Sequence, residues 1–112
     1  MDEGSRYVSI TGLRLNHWRH WPRFAWHASR SLRQAKAAEG CLSADARSIG
    51  GMWYTVSLWQ SERAMRRFLY QGAHGKAARD FDNFATGLTA GFEADAAPAW
   101  DEVPVVLQER GR

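Results

Sequence analysis

The segment Met52–Trp59, MWYTVSLW, constrains the fold more than any other part of the chain. It predicts a β-strand, because it is rich in β-branched and aromatic residues, and the strand carries bulky side chains on both faces. Trp53 and Trp59 share one face, and the other face carries Met52, Tyr54, Val56 and Leu58. A strand in a two-layer domain needs only one apolar face. The second face is therefore predicted to meet another surface, with Trp53 and Trp59 in the contact.

Three further segments have strand patterns. Residues 6–15 alternate between two faces and include Tyr, Val, Ile and Thr. Residues 41–49 alternate weakly and are followed by Gly50-Gly51, which predicts a hairpin with the strand described above. Residues 88–94 alternate again. The chain is thus expected to form four strands.

Two segments have helical patterns. The first runs from Pro22 to Glu39, and Gly40 stands where a left-handed C-terminal cap belongs. The second follows Ser61, which is predicted to cap its N-terminus, and extends to about Thr86. The element order is β-α-β-β-α-β, so residues 1–112 are predicted to form a single α+β ferredoxin-like domain with both helices on one face of an antiparallel sheet.

A sheet covered by helices on one side leaves its other side open. Trp53 and Trp59 are predicted to lie on this open side, where a second copy of the chain would cover them and give a homodimer, the dimeric α/β barrel. The run Val105–Leu107 near the end of the chain is expected to add a strand either to its own sheet or to the partner's.

Composition excludes several classes of protein. The chain has a single cysteine, Cys41, so it can form neither an internal disulfide nor a cysteine-based metal cage. It contains no apolar run long enough to span a bilayer, and its N-terminus, MDEGSRY, does not resemble a secretory signal. We therefore expect a cytoplasmic protein without a membrane partner. Phosphate-cradling loops and flavin or nicotinamide motifs are also missing from the sequence.

The basic residues do not by themselves predict a nucleic-acid-binding protein. The formal net charge is +3, and the arginines are spread over several regions rather than concentrated in one arm. The segment HWRHWPRFAWH interleaves tryptophan with arginine and histidine, which suits either base stacking or the rim of an aromatic pocket. The favoured interpretation is that Trp21 and Phe24 pack on the sheet, and that one of Trp21, Trp26 and His27 lies at a pocket mouth.

The second helical pattern is interrupted around one histidine. Gly72 and Gly75 flank His74, and each glycine costs a helix interior about 1 kcal/mol relative to alanine. The glycines could leave space for the imidazole to face a cavity. Alternatively, Gly72 ends one helix, Gly75 allows a bend, and His74 binds a free carbonyl at the break. Both interpretations fit the pattern.

The segment SLWQSERAMRRFLYQGAHGKAARDFDNF resembles the signature region of the dimeric α/β-barrel superfamily, which includes the antibiotic-biosynthesis monooxygenases. Within that superfamily it is most similar to an uncharacterised domain-of-unknown-function family and to the spheroidene monooxygenases. Their pattern has a strand ending in Trp, a Ser-Glu helix start, an aromatic residue two turns along, and an aromatic-x-Gly-x-His element. The matching positions here are Trp59, Ser61, Glu62, Phe68, Tyr70, Gly72 and His74.

The resemblance implies a pocket inside each subunit for a hydrophobic, aromatic or polyene small molecule. His74 would be the catalytic base or the axial ligand of haem iron, beside Gly72 and Gly75, and the cofactor would be either none or haem. No other metal site is expected. The pocket walls are predicted to include Tyr54, Phe68, Tyr70, Trp26, His27 and Phe92. The alternative is a non-catalytic binding or interaction module on the same fold.

Overall fold

The computed structural model describes residues 6–15, 18–69 and 85–111. In chain order the elements are β1 (Tyr7–Leu15), a 3-10 turn (Trp18–His20), α1 (Trp21–Ala37), β2 (Cys41–Ile49), β3 (Met52–Trp59), α2 (Glu62–Leu69), β4 (Ala85–Glu93) and α3 (Val103–Arg110).

The four strands form one antiparallel sheet in the order β2-β3-β1-β4. Strand β1 lies in the interior of the sheet, with Tyr7 opposite Trp59 of β3 on one side and opposite Glu93 of β4 on the other. This order and the helical connections give an α+β ferredoxin-like fold, as the element pattern predicts.

The turn and cap residues lie where the sequence places them. Gly40 follows the end of α1 with φ of 89°, and Gly50 and Gly51 make the β2–β3 hairpin with φ of 58° and 83°. These are left-handed conformations that glycine adopts without a steric penalty. The Oγ of Ser61 accepts a hydrogen bond of 3.2 Å from the backbone N–H of Ala64, so Ser61 caps α2.

Helices α1 and α2 cover the face of the sheet that carries Trp53 and Trp59, which corrects the prediction that these tryptophans lie on the helix-free face. Trp59 is completely buried and packs on Phe68 of α2 with ring centroids 5.2 Å apart. Trp53 contacts Phe24 of α1 edge-on, with centroids 5.6 Å apart. Because Trp59 is buried within a single chain, it has no surface left to contact a second copy.

The face of the sheet opposite α1 and α2 is covered by α3. The C-terminal run is therefore helical, which corrects the expectation of a C-terminal strand. Pro104 stands in the first turn of this helix, where proline is tolerated. Val103 is completely buried and Leu107 is 2% exposed. The cluster that they join contains Val8, Ile10, Tyr54, Val56, Leu58 and Ala90. A second copy is therefore not needed to cover this face, and the homodimer stays a prediction without that argument.

None of the helices in the described part of the chain is long and apolar enough to cross a membrane.

Candidate functional site

A cavity of about 480 Å³ lies between the sheet and helices α1 and α2. Strands β1, β3 and β4 supply most of its floor, β2 adds Ala44 and Asp45, and the two helices supply its walls. Pockets that bind small molecules have volumes of about 300–1,000 Å³ and combine apolar walls with a few convergent polar groups. The cavity has both properties.

The floor carries hydroxyl groups where a helix-covered sheet usually carries aliphatic side chains. The strand register places Thr55, Thr11 and Thr89 in one cross-strand row, and Ser57 and Ser9 in the next. Directly opposed side chains in an antiparallel sheet have Cβ atoms about 4.5–5.5 Å apart. The row of three threonines therefore spans roughly 10 Å, a length comparable to a small fused-ring molecule.

Two glycines of β4 allow bulky β1 side chains to lie across that strand. A Cβ at Gly91 would collide with the ring and hydroxyl of Tyr7, and a Cβ at Gly87 would collide with Leu13. Tyr7 and Leu13 both line the cavity. Glycine at these positions thus sets where the two β1 side chains stand, and so shapes both ends of the floor.

The walls come mainly from one face of α1. Ala28, Ser31, Leu32 and Ala35 all line the cavity, and their spacing of three, one and three residues places them on a single helix face. Three of the four side chains are small, so they leave open the space between the helix and the sheet. Met65 and Phe68 of α2, together with Trp53 of β3, complete the apolar part of the lining.

Trp59 sets the orientation of one floor hydroxyl. Its Nε1 donates a hydrogen bond of 2.8 Å to the Oγ of Ser57. A serine hydroxyl that accepts a hydrogen bond retains its own proton for donation. Ser57 lines the cavity, so this proton is available to an oxygen atom of a bound molecule.

Tyr7 contributes a phenol group to the cavity lining, and its surroundings keep the hydroxyl protonated. Burial raises the pKa of Tyr7, the carboxylates of Glu62 and Glu93 raise it further, and the guanidinium of Arg66 opposes the rise. Desolvation and nearby negative charge both disfavour a phenolate. Tyr7 is therefore a hydrogen-bond donor at neutral pH.

The described lining does not fit haem. It contains neither imidazole nor thiolate, and its ionisable residues are Tyr7 and Asp45. Haem iron is held by histidine, cysteine, methionine or tyrosine, and of these the described lining has Met65 and the protonated Tyr7. Neither Tyr7 nor Asp45 supplies a cation that could pair with the propionate groups. Within the described ranges, no three His, Cys, Asp or Glu side chains lie close enough together to hold another metal ion.

The structure brings one of the predicted pocket residues into the described cavity lining and leaves four out. Phe68 lines the cavity. Tyr54 and Phe92 lie on the opposite face of the sheet, in the cluster beneath α3, because each belongs to the other parity of its strand. Trp26 is 50% exposed, and His27 is buried against its ring at a centroid distance of 4.9 Å, outside the cavity lining. None of these four residues lines the described cavity, and a role for them beside His74 stays a prediction.

The remaining predicted site residues, Tyr70, Gly72, His74 and Gly75, lie outside the described residues, and their roles stay predictions.

Sequence reasoning missed the floor hydroxyls, although a signal for them exists. In β1, the alternation of Ser9 and Thr11 with Val8 and Ile10 already separates a polar face from an apolar one. Strand β3 repeats the pattern with Thr55 and Ser57. Polar residues at alternate positions of two adjacent interior strands indicate a hydrated or ligand-filled face rather than a packed core.

Comparison with known proteins identifies the fold. No family model matches the sequence, and no curated protein matches it. Among solved structures, the cofactor-independent oxygenase SnoaB from Streptomyces nogalater is similar with a TM-score of 0.68 and 14% identity, over 80% of this chain and 93% of that chain. PA3566 from Pseudomonas aeruginosa gives a TM-score of 0.71 and 14% identity, over 82% and 96%. A candidate antibiotic biosynthesis monooxygenase from Nitrosomonas europaea gives 0.69 and 8%, over 81% and 89%. At these identities the likeness concerns the fold.

Proposed function

We propose that this protein binds a hydrophobic aromatic molecule with oxygen substituents in the cavity and oxygenates it without a cofactor. The observation that carries the proposal is the cavity itself, with apolar walls above a floor of serine and threonine hydroxyls. Apolar walls favour a ring system through burial, and the hydroxyls would bind its phenol or carbonyl oxygens. The fold that this chain shares with the cofactor-independent oxygenase SnoaB supports the same reaction class.

Such chemistry requires removal of a proton from the substrate. Loss of a proton from a phenol or enol gives an electron-rich anion that can react with O₂ directly. Conversion of a ring CH₂ group to a ketone consumes one O₂ and releases one water, so the reaction balances without an external reductant. We propose His74 as the general base, because imidazole titrates near neutral pH.

The described residues would position the substrate and stabilise its anion. Ser57 presents a proton to the cavity, since its oxygen already accepts from Trp59. Tyr7 stays protonated and can donate to a developing oxyanion. Because the described lining offers no imidazole and no cation that could pair with haem propionates, the cofactor-free reaction is proposed in preference to a haem reaction.

Two substitutions test the proposal. Thr11→Phe places a ring in the centre of the floor and is expected to block binding, and Val105→Phe adds the same ring on the opposite side of the sheet, where the side chain is 53% exposed. A polycyclic phenol or anthrone should quench tryptophan fluorescence in the parent protein and in Val105→Phe, but not in Thr11→Phe. Oxygen uptake, followed with an oxygen electrode, should be lost in Thr11→Phe and in His74→Ala.

The outcomes separate catalysis from simple binding. Binding in His74→Ala without oxygen uptake, beside uptake by the parent protein, supports the proposed base. Binding by the parent protein without oxygen uptake from any phenol or anthrone tested would instead support a non-catalytic binding module. Equal quenching in Thr11→Phe and in the parent protein would rule out this cavity as the binding site.

A further inference from the structure

Helix α1 and the turn before it carry several exposed basic side chains and no acidic residue of their own. The sequence contains no Asp or Glu between Glu3 and Glu39. Residues 18–37, which form the turn and the helix, carry exposed basic side chains throughout: Arg19, Arg23, Arg30, Arg33 and Lys36. The overall charge is only +3, so the acidic residues that offset these cations lie elsewhere in the chain. Residues 18–37 therefore contribute positive charge and no negative charge to this surface.

Helical spacing arranges part of this surface in a line. Arg23, Trp26, Arg30 and Arg33 are separated by three, four and three residues, which places them along one exposed stripe of α1. From Arg23 to Lys36 the helix rises roughly 20 Å. The opposite face of the same helix packs towards the sheet and the cavity, so the stripe lies on a convex outer surface.

Three tryptophans stand on or beside the stripe. Trp18 is 80% exposed, Trp21 49% and Trp26 50%. The guanidinium of Arg30 lies over the ring of Trp26 at 4.7 Å, and Trp21 is stacked on Phe24 at 5.8 Å. One flat side of each of these two rings is thus already covered by the protein. Half-exposed tryptophan beside arginine is typical of the boundary between water and lipid headgroups.

We propose that this Trp/Arg surface docks on an anionic lipid bilayer. Basic side chains are attracted to the negative surface of a bilayer, and the tryptophans would insert their exposed edges among the headgroups. This inference is contrary to the sequence-based expectation of no membrane partner, and it does not depend on the proposed oxygenation.

Two features favour a lipid surface over single-stranded nucleic acid. Proteins that bind single strands track the phosphates in a groove and stack bases on open ring faces. Here the cations lie on a convex helix, and Trp26 has a guanidinium over one face of its ring. A flat anionic surface can contact a straight stripe without displacing that guanidinium.

The test is co-sedimentation with vesicles. The full-length protein is mixed with vesicles of phosphatidylcholine alone, or of equal parts phosphatidylcholine and phosphatidylserine, at low and high salt. Each arginine near an anionic surface contributes roughly five-fold to partitioning. The double variant Arg30→Gln, Arg33→Gln is therefore expected to bind about 25-fold more weakly. The matched control, Arg47→Gln with Arg110→Gln, removes the same charge from residues that contact Trp100 and Phe92 instead.

A second variant examines the tryptophan contribution without changing charge. Trp18→Ala is expected to reduce binding to the mixed vesicles and to lose part of the fluorescence quenching caused by brominated lipids. The proposal holds if binding needs phosphatidylserine, falls with salt, and is weakened by the α1 variants but not by the control pair. Equal loss in both arginine pairs, no vesicle binding, or tighter binding to single-stranded DNA than to vesicles would overturn it.

Discussion

Replacement of Leu107 by alanine tests whether α3 provides the cover for the second face of the sheet. Leu107 is 2% exposed and packs directly above Gly12, where a Cβ would lie 2.5 Å from its Cδ2 atom. The substitution removes three buried carbons, which corresponds to a transfer free energy of about 2.4 kcal/mol. Gly12 has no side chain that could move into the vacated space, so a cavity term is added. We expect the free energy of unfolding to fall by about 3 kcal/mol.

The assay is equilibrium unfolding in urea, followed by circular dichroism, with Val105→Ala as the control. Val105 belongs to the same helix but is 53% exposed, so its truncation should change the free energy of unfolding by less than about 0.5 kcal/mol. A loss of 3 kcal/mol in a chain of this size corresponds to a fall in Tm of roughly 12 °C. If the two variants unfold at the same urea concentration with the same slope, α3 does not pack on the sheet as described.

Three further predictions concern single side chains. Burial raises the pKa of Tyr7 above 10.0, so the stability that its protonated form contributes is present below that pH and is lost as the pH rises through the folded-state pKa. Tyr7→Phe should therefore remove a late phase from an ultraviolet titration of phenolate, and a phase removed at or below pH 10.0 would contradict this. Burial also raises the pKa of Cys41 above 9.0. Because Cys41 is the chain's single thiol, the pH midpoint of its alkylation should exceed that of a cysteine peptide. An equal or lower midpoint would refute the assignment. Finally, Gly40→Ala should destabilise the protein by about 1–3 kcal/mol more than Gly51→Ala. Both glycines have positive φ, but only at Gly40 would the new Cβ meet a neighbour, the Cβ of Ala64 at 2.6 Å. Equal melting temperatures of the two variants would show that this contact relaxes freely.

Local signals in the sequence predicted most of the described fold. Gly40, Gly50 and Gly51 require conformations that few other residues adopt, and Ser61 supplies a specific hydrogen bond to a helix start. These features act over three or four residues, so they do not depend on the rest of the molecule. The strand alternations are equally local. Together they give the element order, from which the ferredoxin-like topology follows.

The face of β3 that meets the helices could not be read in the same way. Alternation shows that Trp53 and Trp59 share a face, but both faces of this strand carry bulky apolar side chains. Deciding between them requires knowledge of what covers each side, and α3 was expected to be a strand. Its residues 105–107 are β-branched or aliphatic, which favours a strand, but the helix buries Val103 and Leu107 in one cluster with Val8 and Ile10. Tertiary contacts therefore overrode the local preference.

The same error of parity displaced the predicted pocket. With the tryptophans on the open side, the alternation predicts Tyr54 on the pocket side, whereas the structure buries it beneath α3. Phe68 lies on α2, so its place in the lining of the described cavity does not depend on the choice of sheet face.

The hydroxyl floor is difficult to explain as a device for stability. A hydroxyl buried without a hydrogen-bond partner costs about 1–3 kcal/mol, and a sheet face covered by helices is normally filled with aliphatic side chains that contribute stability instead. In the described part of the structure no buried side-chain nitrogen or oxygen lacks a partner, so the cavity does not hold its hydroxyls at that cost. Small residues on α1, such as Ala28 and Ala35, keep the space above Thr11 and Thr55 open. Each of these choices gives up apolar burial that valine or leucine would supply, and the proposed ligand, by filling the space and binding the hydroxyls, would account for their concentration at one place.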